Sequence, residues 1–140
     1  MKKLLLLSLA CSLQAAPPES FWKALHEVEA SMRVGAIRGD KGAALGPYQI
    51  HRGYWKDSRV KGNYSQCANL AYSRKVATAY FKHYSAKRVE WYKKKKKMKV
   101  TNAWDVGDCK VLARIHNGGP QGYLKPSTLK YWRKIQEAMK

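Results

Sequence analysis

Glu29 and Asp40 have the residue types and the setting to split a glycosidic bond. That reaction needs a proton for the leaving oxygen and a negative charge facing the developing oxocarbenium ion. One carboxyl must therefore stay protonated while another stays ionised. Glu29 falls on the rim of an apolar helical face, near Trp22, where loss of water raises a carboxyl pKa. Asp40 lies among Gly39, Lys41 and Gly42, a polar turn in which a carboxylate is expected to keep its charge. Nine acidic residues occur in the whole chain, and four of them lie between Glu27 and Asp57. That concentration is what sets the pair apart from a solvated helix glutamate and an ordinary turn aspartate. Glu27 is expected to be exposed and Asp57 to orient the following turn. Downstream, Gly46-Pro47-Tyr48-Gln49-Ile50 leads into Tyr54-Trp55. Tyr48, Gln49 and Tyr54 are candidate sugar contacts, with packing of the tyrosines as the competing reading; Trp55 and Trp132 read as core.

The elements that must position these residues are mostly helical. Phe21, Leu25, Val28 and Met32 recur at helical spacing and predict a helix over 19–31 with those side chains facing the core. Gly35, Gly39 and Gly42 break it, and Ile37-Arg38 before Gly-Asp-Lys-Gly predicts a short strand and turn. Pro47 is tolerated in a first helical turn and predicts a second helix there, carrying Tyr48, Ile50, Tyr54 and Trp55. Residues 58–65 read as loop. A third helix over 66–84 has Cys67, Leu70, Ala71, Ala77, Tyr80, Phe81 and Tyr84 as its buried stripe. Lys93 to Lys97 are consecutive lysines, expected to form a solvated loop. Asn102 and Asp105 suggest a helix cap before a helix over 103–116 with Val106, Cys109, Leu112 and Ala113 inward. Gly118-Gly119-Pro120 stops it. A last helix from Thr128 buries Leu129, Trp132, Ile135 and Met139. No internal repeat is visible.

At 140 residues the chain has room for one hydrophobic core. Residues 1–16, with a basic start, an apolar run over 4–10 and a small-residue stretch, read as a secretory signal peptide, leaving 17–140 as the domain. The apolar run is too short to span a bilayer. A formal charge of +19, lowered by two when Lys2 and Lys3 leave, draws the protein to polyanions. Export makes an acidic envelope polymer the expected partner. The lysine run has no interleaved arginines or aromatics to read nucleic acid. Cys67 and Cys109 form a candidate disulfide in an oxidising compartment, worth about 2–4 kcal/mol, against the alternative of two buried thiols. No cluster has metal-ligand spacing and no glycine loop has phosphate-cradling order, so no cofactor is expected.

Val28-Glu29-Ala30-Ser31, Gly39-Asp40-Lys41-Gly42, Gly46-Pro47-Tyr48-Gln49-Ile50 and Tyr54-Trp55-Lys56-Asp57 resemble, in the same order, the invertebrate-type (i-type) lysozyme and destabilase family. His116-Asn117-Gly118-Gly119-Pro120-Gln121-Gly122 and Thr128-Leu129-Lys130-Tyr131-Trp132 match its downstream signature. The resemblance covers most of the mature chain. It implies an α+β, predominantly helical, lysozyme-like domain with a small β-hairpin region beside the cleft. It also implies Glu29 as general acid, and Asp40 as nucleophile or charge stabiliser. The substrate implied is peptidoglycan, cut between N-acetylmuramic acid and N-acetylglucosamine, with chito-oligosaccharides as a further substrate. His116, Asn117 and Gly118 gain a substrate-contact reading beside their plainer one as a helix end. The family is usually rich in disulfides, whereas Cys67 and Cys109 are the cysteines of this mature chain.

Alternatives stay open beside a secreted or periplasmic, monomeric hydrolase. Glu29, a glycine-rich stretch and Gln49 also resemble lytic transglycosylases, which use one glutamate and leave an anhydro end. Isopeptidase chemistry, linked to the family, needs a serine–histidine pair that the sequence does not single out. A non-catalytic cationic antimicrobial or polyanion-binding protein is the reading of another class.

Overall fold

The computed structural model describes residues 17–95 and 106–140. The expected signal peptide, Lys96 to Lys99 and the Asn102–Asp105 cap lie outside the described residues. Within them the architecture is predominantly helical with one small antiparallel sheet: α1 (Glu19–Ala30), β1 (Arg38–Gly39), β2 (Ala44–Leu45), β3 (Ile50–His51), α2 (Arg52–Ser58), α3 (Leu70–Lys95), α4 (Val106–Gly118) and α5 (Thr128–Ala138).

α1 starts after the extended Pro18, has Glu19 in its first turn, and buries Phe21, Trp22, Ala24, Leu25 and His26. It ends where Ser31 and Met32 both turn left-handed, with φ of 49° and 62°. Ser31 and Met32 then donate their backbone N–H groups to Glu27 and His26, closing the last turn. That reversal carries Met32 out of the helical stripe, so it is 49 % exposed rather than in the core as expected.

The strands run in the order β1-β2-β3, with Gly39 opposite Ala44 and Ala44 opposite His51. Asp40 stands at the tip of the first hairpin. The expected helix from Pro47 is corrected here. Gly46 to Gln49 form a turn, Ile50 belongs to β3, and the helix begins only at Arg52, carrying Tyr54 and Trp55 but not Tyr48. Gly46 at φ 81° and Gln49 at φ 48° are both left-handed, which no α-helix admits. A side chain at Gly46 would also overlap the Cys67 backbone carbonyl.

Cys67 lies on a 3-10 turn (Tyr64–Ala68) ahead of α3, not on the helix. Asn69 accepts from the Tyr72 amide and starts α3 at Leu70. Leu70 and Ala71, expected inside, are exposed; Ser73, Val76, Ala77, Tyr80 and Phe81 form the buried stripe. The helix runs on through Lys95, so Lys93 to Lys95 are helical rather than loop. Lysine is a good helix former, and that preference prevails over like-charge repulsion. Cys67 and Cys109 are both wholly buried and are not joined to one another. The disulfide expectation is therefore corrected. Burial pushes the Cys67 thiol up to about 11.

The core gathers Phe21, Trp22 and Leu25 of α1 with Ile50, Phe81, Leu112, Ile115 and Ile135. α4 is tied to α5 through Arg114, whose buried guanidinium donates to Thr128 Oγ1 at 2.8 Å and to the Lys125 carbonyl at 2.9 Å. Gly119 at φ 81° stops α4, as the glycine pair suggested.

Candidate active site

Glu29 sits in the last turn of α1, its side chain 18 % exposed. Two other helices meet it. Tyr131 of α5 donates its hydroxyl to Glu29 Oε1. His116 of α4 places Nε2 3.6 Å from the same oxygen. Tyr54 of α2 reaches the far side of that imidazole, with its hydroxyl 3.0 Å from Nδ1. Tyr54 is itself stacked on Tyr80 of α3, the rings 3.5 Å apart and 11° from parallel.

The partners decide the state of His116. Its Nε2 lies 3.0 Å from the Tyr48 carbonyl oxygen, which can only accept, so Nε2 carries the hydrogen. Nδ1 is then an acceptor, and the Tyr54 hydroxyl donates to it. Burial pushes His116 down to about 4, although the Tyr48 carbonyl favours its charged form. His116 is thus neutral near pH 7, and its contact with Glu29 is not an ion pair. Burial likewise pushes Glu29 up to about 7, against the Tyr131 hydrogen bond and the charge of Lys134, which both act to lower it. The result is a carboxylic acid that holds its proton close to neutrality, the property a general acid needs.

Asp40 has a different setting. Its side chain is 66 % exposed, and its carboxylate lies 3.4 Å from Nε2 of the half-exposed His51 on β3. Asp40 and Lys41 are both left-handed, with φ of 49° and 54°. Such backbone is sparsely populated for non-glycine residues and clusters at functional sites. His51 is a minor influence that acts with burial to hold His116 down. Each carboxyl thus has a histidine beside it: His116 for Glu29 and His51 for Asp40.

The other expected contacts divide. Tyr48 is 2 % exposed and packs on Trp22 and His26, so its side chain is core and only its carbonyl belongs to the site. The His116 side chain, 3 % exposed, faces Glu29 rather than solvent. Tyr54 acts on that histidine. Gln49 donates its amide hydrogens to the Gly46 and Ile37 carbonyls at 2.8 and 3.3 Å. Asn117 is exposed, and the Gly118 carbonyl accepts from Lys125 Nζ at 2.6 Å. Trp55 donates to the Tyr72 hydroxyl, and Trp132 is buried, both in keeping with core roles.

Tyr131, His51 and Tyr80 carry no site role in the sequence reading, which places Tyr80 in a buried stripe and Tyr131 in the Thr128–Trp132 signature. Tyr131 was the one with a signal, since it lies three residues after Thr128 and four before Ile135 on the buried face of α5. A tyrosine hydroxyl buried in that way needs a polar partner.

The sequence model described as Destabilase matches residues 23–138. This chain belongs to the destabilase family. Among its relatives, a lysozyme of Magallana gigas is 33 % identical over 67 % of this chain and 59 % of its own length. One of Ostrea edulis is 30 % identical over 74 % and 66 %. The chain thus spans somewhat under two thirds of these relatives. A lysozyme of Meretrix lusoria is 29 % identical over 79 % of this chain and 81 % of its own. The crystal structure of that Meretrix lysozyme in complex with Aeromonas hydrophila PliI superposes with a TM-score of 0.67 at 26 % identity, over 88 % and 93 % of the two chains. The Tapes japonica lysozyme superposes at 0.62 and 25 % identity, again over 88 % and 93 %. The destabilase-family domain is thus lysozyme-like in fold.

Proposed function

We propose that this destabilase-family chain is a secreted muramidase, hydrolysing the β-1,4 bond between N-acetylmuramic acid and N-acetylglucosamine. One observation carries the reading: Glu29 is a buried carboxyl raised to about 7, held between the Tyr131 hydroxyl and a neutral His116. Family membership and relatives named lysozyme support it. Glu29 protonates the leaving oxygen as the bond to the anomeric carbon lengthens. Asp40 attacks that carbon or stabilises its charge, and water releases the glycan with Glu29 now acting as base. The strongly basic surface draws the enzyme to acidic wall polymer. Glu29→Gln tests the core of the proposal: it should abolish clearing of cell walls while the chain stays folded. Clearing near the parent level would refute it.

The exposure of Asp40 favours a second reading. A carboxylate 66 % exposed at a hairpin tip suits a lytic transglycosylase, in which Glu29 alone catalyses and the sugar closes on itself. Mass spectrometry of digested peptidoglycan separates the two, because hydrolysed ends carry one more water than anhydro ends.

A further inference from the structure

The hairpin that carries Asp40 is clamped at its mouth by one side chain. Ile37 enters β1 and Gly46 leaves β2, and the Gly46 amide donates to the Ile37 carbonyl at 2.8 Å. The Gln49 amide nitrogen donates to both ends at once, 2.8 Å to Gly46 O and 3.3 Å to Ile37 O. Its own backbone N–H returns to Gly46 O at 3.0 Å. The amide oxygen lies across the strand at Gly39, the residue before Asp40, where a Cβ would overlap Gln49 Oε1. Gly39 has extended backbone, φ −129° and ψ 178°, which any residue adopts. Glycine is needed there for space rather than for conformation. Two residues beyond Gln49, His51 meets the Asp40 carboxylate.

We infer that Gln49 is a positioning residue for Asp40: its amide holds the β1–β2 hairpin shut and fills the gap at Gly39, fixing the strained tip where the carboxylate stands. The inference rests on the reading of Asp40 as the second carboxylate. A glutamine that instead bound sugar would act on substrate affinity. One acting through Asp40 changes turnover, because a displaced nucleophile misses the near-attack geometry while the binding surface is unchanged.

The test is steady-state kinetics on a neutral chito-oligosaccharide, with thermal unfolding to confirm that each variant is folded. Gln49→Met, similar in shape but without the hydrogen bonds, should lower kcat at least tenfold and leave KM within twofold. In an Asp40→Asn background the same change should cause no further loss. Gly39→Ala should lower kcat by displacing the amide, and adding Gln49→Ala to it should cause no additional loss, since the truncated side chain leaves room for the new Cβ. Should Gln49→Met fail to fold, Gln49→Leu, which also lacks the amide and adds no charge, carries the same comparison. A raised KM with parental kcat would overturn the inference in favour of sugar contact. Parental kcat in Gln49→Met beside an inactive Asp40→Asn would overturn it alone. An active Asp40→Asn would remove the role of Asp40 and this inference with it.

Discussion

The Tyr131 hydroxyl donates to Glu29 across the seam between α5 and α1, joining residues 102 positions apart in sequence. A hydrogen bond to a carboxylate favours its ionised form, so this contact holds Glu29 lower than burial alone would. In Tyr131→Phe the acid should keep its proton to higher pH. The alkaline limb of kcat/KM, expected near pH 7 in the parent, should move upward in the variant. A pH–rate profile decides it; an unmoved or lowered limb would refute the coupling.

Stability should show Glu29 and His116 with opposite signs. Glu29 is raised from 4.5 to about 7, so its stabilising contribution is full below 4.5 and is lost as pH rises through about 7. His116 is lowered from 6.5 to about 4, so its contribution is full above 6.5 and is lost as pH falls through about 4. Between pH 4.5 and 6.5 the two nearly cancel. Urea unfolding should therefore show Glu29→Gln gaining on the parent as pH rises from 4.5 to 7. His116→Gln should lose ground to the parent from pH 4 to 6.5. Each slope should approach roughly 1.4 kcal/mol per pH unit. Differences from the parent that stay flat with pH would contradict both assignments.

Gly46 combines a left-handed φ of 81° with a backbone packed against the Cys67 carbonyl. Gly46→Ala should lower stability by roughly 2 kcal/mol or more, since strain and overlap act together. Gly35 has a φ of 100° but open space around it, so Gly35→Ala should cost less. Chemical denaturation of the two variants gives the comparison, and equal losses would show that the Cys67 contact contributes nothing.

Charge and chemistry should separate under salt. Attraction of the basic surface to cell wall is screened as ionic strength rises, whereas a neutral chito-oligosaccharide feels no such field. Wall clearing should fall steeply between low and high salt while oligosaccharide turnover stays nearly constant. A parallel fall in both would tie salt to the catalytic groups instead.

What could be read from residue order was whatever depends on local pattern. The α1 stripe of Phe21 and Leu25, the stop at Gly119, and the apolar rim around Glu29 all follow from periodicity and residue type. The misread segments depend on contacts distant in sequence. Pro47 looks like a helix start until Gly46 is seen pressed against Cys67. His116 looks like an ordinary helix end until Tyr54 and Tyr48, more than sixty residues earlier, are seen to fix its tautomer. Tyr131 could be placed on a buried face, but its partner on α1 could not be named from spacing.

Cys67 and Cys109 remain separate sulfurs inside a closed interior. The cohesion of this domain at that place then does not rest on a covalent link between the two sulfurs. A reducing agent should therefore leave the packing around these two residues unchanged.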